Sequence, residues 1–160
     1  MLTRTESTMP PFRCTVTIAR LLLGLSLSSC ATEPTGSLAK TLRAEGAQAR
    51  WTAARLSAYS FNSTVYCNCL DEFVGTKRVT VREGRVVAVV DVRTGTPNPV
   101  TWRQPIDSLF ALVRREAITF PQLLDVNFDG RLGFPRRISY GDQPVDGGGV
   151  ITIDDLRADP

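Results

Sequence analysis

The stretch from Arg78 to Val92, Arg-Val-Thr-Val-Arg-Glu-Gly-Arg-Val-Val-Ala-Val-Val-Asp-Val, constrains the fold more than any other part of the chain. β-Branched residues dominate two runs that flank Glu83-Gly84, and that combination predicts a β-hairpin with a two-residue turn. Such a turn pairs Val81 with Val86 and Val79 with Ala88. With a side-chain period of two, Val79, Val81, Val86, Ala88, Val90 and Val92 share one face. Val87 and Val89 then fall on the opposite face, open to a helix, a partner or solvent. An isolated hairpin is marginal in water, so the rest of the chain must supply further strands or a packed helix.

Tyr59 to Cys69 supplies the next strand. Its aromatic, β-branched and hydroxyl residues alternate so that Tyr59, Phe61, Val65, Cys67 and Cys69 lie on one face, with the two thiols directed at the core. Before it, Leu38 to Ser57 is rich in alanine. Leu38, Leu42, Ala49, Ala53 and Leu56 form a stripe near helical spacing, with Ser37 as N-cap, Trp51 docking on the sheet and Gly46 weakening the middle. Thr94 to Gln104 reads as a loop. Pro105 to Ala117 gives a second helix, with Asp107 as N-cap and Leu109, Phe110, Leu112, Val113 and Ala117 inward. Leu123 to Asp129, Arg136 to Tyr140 and Val150 to Asp154 read as three more strands. The predicted fold is α+β, an antiparallel sheet of about five to six strands with two packed helices in the order α-β-β-β-α-β-β-β.

The N-terminus carries an address. Arg13 and Arg20, the apolar run Leu21 to Leu27 and then small residues have the tripartite form of an export signal, and Leu27-Ser28-Ser29-Cys30 resembles the bacterial lipobox. That resemblance implies cleavage before Cys30 and acylation of its thiol. It divides the chain into a signal at 1–29, a lipidated tether at 30–37 and a single domain at 38–160. The other readings are an ordinary signal peptide whose cleavage site ends in cysteine, and a short buried helix. The run is too short for the ~20 residues that span a bilayer. The start of translation is Met1 or Met9. Ala31 rather than aspartate after the cysteine implies, by resemblance to known lipoproteins, the outer membrane facing the periplasm.

Charge and composition close several functional classes. The first 29 residues hold Arg4, Arg13, Arg20 and Glu6, which leaves 16 basic against 15 acidic residues in the remainder. A balance so near neutral lacks the basic footprint of a nucleic-acid binder. The chain contains no histidine. Triads built on imidazole and histidine-ligated metals are therefore excluded, and no catalytic constellation or resident cofactor is evident.

Two motifs invite over-reading. Ser37-Leu-Ala-Lys40 matches the S-x-x-K pattern of penicillin-recognising enzymes, but no S-D-N or K-T-G partner follows. Asp125-Val-Asn-Phe-Asp-Gly130 opens like a calcium loop, yet position twelve is Arg136 where a bidentate carboxylate is required. Asp142, Asp146, Asp154 and Asp155 read as turn formers and a solvated strand end, and no metal site is expected.

Cys67 and Cys69 carry the remaining chemistry. Once Cys14 is removed and Cys30 acylated, they are the only thiols left, in an oxidising compartment. Two residues of extended strand separate their Cα atoms by ~6.6 Å, near the ~6.8 Å limit for a disulfide, so a bridge needs a bulge or the strand's end. The alternative is a pair of small thiols packed in the core.

Trp51, Tyr59-x-Phe61, Cys67-x-Cys69, the Val81 to Val86 turn, Ile106-Asp-Ser-Leu-Phe110 and Asp129-x-x-x-Gly133-Phe-Pro-x-x-Ile138 together resemble the 6174 domain-of-unknown-function family of small bacterial secreted proteins and lipoproteins. The likeness covers about 44–156, with Phe134 where the family often has tyrosine. It implies export and a compact α+β fold, and no reaction. The expected role is a non-enzymatic envelope lipoprotein, anchored to the membrane through Cys30, that binds a protein or peptide or supports an assembly. The alternative is a thiol redox or soft-metal protein using Cys67 and Cys69, for which the domain offers neither methionine nor histidine to complete a shell.

Overall fold

A computed structural model describes residues 36–141 and 148–159. Cys30, the signal, most of the tether, Asp142 and Asp146 lie outside the described residues. Helix α1 spans Ser37–Ala53 and is followed by strands β1 (Ala58–Cys67), β2 (Gly75–Arg82), β3 (Arg85–Asp91) and β4 (Pro97–Asn98). After a 3-10 turn at Val100–Trp102 come helix α2 (Ile106–Thr119) and strands β5 (Asp125–Phe128), β6 (Pro135–Tyr140) and β7 (Gly149–Ala158). The seven strands form one sheet in the order β4-β3-β2-β1-β7-β6-β5, with every pairing antiparallel. The α+β class and the element order stand. The strand number exceeds the expectation because two residues of the proline-rich loop, Pro97 and Asn98, pair with Val90 and Val89.

The hairpin turns where the sequence places it. Glu83 and Gly84 both adopt positive φ, 50° and 72°, as a two-residue turn matched to strand twist requires. Val81 pairs with Val86 as expected, but Thr80 then pairs with Ala88 and Val79 with Val89. Val87 is the extra residue of a β-bulge, and beyond a bulge the alternation of faces inverts. Val89 is consequently buried opposite Val79, whereas Val87 and Val92 are exposed, which corrects the single valine face drawn from the period of two. A second bulge lies in β7, where Asp155 at φ 48° is the extra residue opposite β1. β7 therefore runs on to Ala158 instead of ending at Asp154, and Asp155 is held in that conformation by ion pairs to Arg78 and Arg157.

One face of the sheet is covered by both helices. Tyr59, Phe61, Val79, Val81, Ile138 and Ile153 meet Trp51 of α1 and Ile106, Leu109, Phe110 and Val113 of α2 in one core. Helix α1 buries Ala44, Ala47 and Trp51, while Leu38 and Leu42 are exposed. The expected leucine stripe is thus rotated off the core. The reason is the turn before β6: a Cβ added to Gly133, at φ 82°, would stand 2.1 Å from the Ala47 carbonyl oxygen. Helix α1 approaches this turn through the Ala47 backbone, with small Ala44 and Ala47 buried and Trp51 one turn on. The expected N-caps differ as well. Gly36 and Pro105 occupy those positions, Ser37 and Asp107 are already in the first turns, and neither helix has a side-chain cap bond.

Candidate functional site

Several of the residues that carry the sequence resemblance converge on Trp51. Its indole Nε1 donates to Asp107 Oδ1 at 3.2 Å, joining α1 to the first turn of α2. Its ring meets Tyr59 edge-on at 5.2 Å and Phe134 at 6.3 Å, the T-shaped geometry that aromatic quadrupoles favour. The Tyr59 hydroxyl accepts the Ile106 amide at 3.3 Å, satisfying an orphan donor at the start of α2. Burial pushes the Tyr59 phenol up to about 12; the Asp107 charge acts the same way and the Ile106 hydrogen bond opposes it. Asp129 Oδ1 accepts the Arg131 and Leu132 amides at 3.0 and 2.7 Å, which shapes the turn that delivers Gly133 and Phe134. This set locks two helices to a sheet. The Trp51 indole, the Tyr59 hydroxyl and one oxygen each of Asp107 and Asp129 have structural partners, which commits them to packing.

The motifs set aside in the sequence are committed in the same way. Lys40 donates to the carbonyls of Pro121 and Leu124, the latter at 2.6 Å, and so ties α1 to the segment after α2. In the calcium-like stretch, Asp125 begins β5 and Asp129 is the turn former just described. Among the described residues no cluster of three or more histidine, cysteine, aspartate or glutamate side chains could hold a metal ion.

Cys67 and Cys69 lie at the far end of β1 from this lock. Cys67 is the last residue of the strand and half-buried, and Cys69, beyond it, is exposed, which corrects the expectation that both thiols point into the core. Leaving the strand shortens the Cα separation to 5.3 Å, inside the disulfide range, and the two sulfurs stand at bonding distance.

Beside that strand end the helical face of the sheet is left uncovered. An open groove of about 730 Å³ lies between α2 and the strands β1, β7 and β6. Val65, Ile151, Leu109 and Leu112 give it apolar walls, with Ser63, Ser108, Gln104 and Tyr140 as polar lining. Three residues form a row across the strands here, Cys67 on β1, Gly149 on β7 and Tyr140 on β6. Because Gly149 has no side chain, the Tyr140 ring lies over β7, its hydroxyl 3.1 Å from where a Cβ of Gly149 would stand. Burial raises the Tyr140 pKa, reinforced by the Glu116 charge and opposed by Arg115. At the near end is Arg103, almost fully buried, donating Nη1 to the Trp102 carbonyl and Nη2 to those of Phe73 and Gly75 at 3.0 and 3.1 Å.

A family model matches residues 43–158, nearly the whole described domain. The chain belongs to the family of unknown function DUF6174. No curated protein and no solved structure matches it. Within the residues matched to the DUF6174 model, the lock around Trp51 defines the architecture, and the groove is where the side chains of Ser63, Gln104, Ser108 and Tyr140 form no hydrogen bond among the described residues. Sequence reading found the cysteines and missed Arg103 and Tyr140. Ser63 was the available signal, a hydroxyl standing in the inward row between Phe61 and Val65.

Proposed function

We propose that this DUF6174 chain is exported and lipid-anchored through Cys30, and that its domain is a non-enzymatic binding module held at the membrane surface. The tripartite leader and the Leu27-Ser28-Ser29-Cys30 sequence support the anchor. The observation that carries the binding role is the open groove along α2, whose volume falls in the range of small-ligand sites and whose lining mixes apolar walls with a few polar groups. The lining holds no carboxylate and the chain no histidine, and Glu116, whose charge reaches Tyr140, is paired with Arg115.

Two measurements test the halves separately. Radiolabelled palmitate enters the wild-type protein in a bacterial host and not Cys30→Ala; equal labelling of the two overturns the anchor. Native mass spectrometry of protein taken from the envelope shows a non-covalent adduct that is lost in Ala111→Trp, a change at an exposed α2 position lining the groove. Identical adduct-free spectra from both proteins count against a binding role. A second reading, thiol redox exchange or soft-metal capture by the reduced pair, is favoured by one observation: Cys67 and Cys69 stand at bonding distance at an exposed strand end.

A further inference from the structure

The groove has a charge imbalance that selects its occupant. Arg103 and Arg115 both line it, and no acidic side chain does. Arg115 lies largely in solvent and pairs with Glu116 at 3.0 Å, so its charge is answered. Arg103 is 7% exposed, forms no ion pair among the described residues, and its Nε is buried without a hydrogen-bond partner. Its other nitrogens meet only neutral carbonyls. A guanidinium withdrawn from water and left without a counter-charge is costly, and natural interiors resolve the cost by pairing. Burial accordingly lowers the Arg103 pKa. An anion arriving in the groove would restore the balance that the fold leaves open.

The remainder of the groove defines the body attached to that anion. Leu109 and Leu112 on α2 face Val65 and Ile151 on the sheet, and Trp102 flanks Arg103. At 1.5 Å per residue, the start of α2 at Ile106 and Arg115 near its end are about 14 Å apart. That distance accommodates an extended acyl chain of medium length.

Resting on the binding role proposed above, we infer that the groove takes an amphipathic monocarboxylate, a medium-chain fatty acid, with its carboxylate against the Arg103 end and its acyl chain running along α2 between Leu109, Leu112, Val65 and Ile151. The carboxylate answers the unpaired Arg103 charge as a single anion, since both Nη groups of the guanidinium are already shared with the Trp102, Phe73 and Gly75 carbonyls. Ser63 and Tyr140 supply hydroxyls within the same groove.

Isothermal titration of the full chain with dodecanoate, dodecanol and dodecyltrimethylammonium, each below its micellar concentration, tests the inference. Dodecanoate binds tighter than dodecanol by about ten- to a hundredfold, the range of one charge-assisted hydrogen bond. The dodecanoate signal disappears in Ala111→Trp, whose melting temperature stays at the wild-type value. Arg103→Gln abolishes the preference for dodecanoate over dodecanol; since this variant also loses contacts to the Phe73 and Gly75 carbonyls, its folding is checked by circular dichroism and the groove-filling variant stands independently of it. Equal affinity for dodecanoate and dodecanol overturns the carboxylate assignment while leaving a binding groove in place. Tighter binding of the ammonium ligand, or no binding of dodecanoate, also overturns it.

Discussion

Replacing Gly133 with alanine isolates the effect of one close approach. The residue sits at φ 82°, and a Cβ there would lie 2.1 Å from the Ala47 carbonyl oxygen, 3.0 Å from the Ala47 carbonyl carbon and 3.1 Å from Arg50 Cβ. Two costs combine. Placing an L-residue in left-handed backbone costs about 1–2 kcal/mol. The clash is with helix backbone, which cannot rotate aside, so α1 must move outward by roughly 1 Å, and overpacking of this kind costs about 1–3 kcal/mol. The alanine also stiffens the unfolded chain, returning roughly 0.4–1 kcal/mol. Gly84→Ala is the matched comparison, because Gly84 has φ 72° and open space around its Cβ position. Strain and the unfolded-state gain are common to both, so their difference reports the clash, expected at about 2 kcal/mol or more. For a domain of this size that is roughly 5–10 °C in melting temperature. Urea unfolding of the two variants with matched slopes measures it. If Gly133→Ala is no less stable than Gly84→Ala, α1 does not rest on this turn and the account of its alanine face is wrong.

Alkylation of denatured, unreduced protein taken from the envelope is expected to label neither Cys67 nor Cys69, and two free thiols would remove the bridge. Asp91 accepts from the buried Lys77 ammonium at 2.6 Å and from the Thr94 amide, and these bonds, the lysine first, hold its carboxyl well below the usual carboxylate range. A depressed folded pKa contributes stability that is complete above about pH 4, the unfolded value, and is lost as pH falls toward the folded one. The melting temperature of the wild type should therefore fall more steeply than that of Asp91→Asn below pH 4, with the variant less stable at pH 7; parallel curves would refute the pairing.

Much of the architecture was legible because hydrophobic period is a local property. The Glu83-Gly84 turn, the inward side of α2 and the order of elements all follow from spacing within a few residues. What failed depends on partners distant in sequence. The face of α1 was misassigned because leucine outweighs alanine on any hydrophobic scale, whereas the side that approaches Gly133 carries Ala44 and Ala47. The inward turn of Val89 follows from one extra residue, and nothing in a run of valines marks which one is extra. Asp107 looked like an N-cap because aspartate before an apolar helix usually is one, but the Trp51 indole claims its carboxylate. The groove was the least legible part. Arg103 is an unremarked loop residue until Phe73 and Gly75 are brought to it by the β1–β2 connection.

The sheet order bears on how the chain can be delivered. β1 is bordered on one side by β2, made soon after it, and on the other by β7, the last strand, with Cys67 paired to Gly149. A chain that emerges amino-terminus first can close the β1–β2–β3 meander while β1 still presents an open ladder of amide and carbonyl groups. The β5–β6 pair joins only through β7, so the two halves remain unzipped until the final ten-residue strand has appeared. Cooperative folding is thereby deferred until β7 has emerged. Under the export proposed above, a fold whose keystone strand is β7 stays threadable until that strand has crossed.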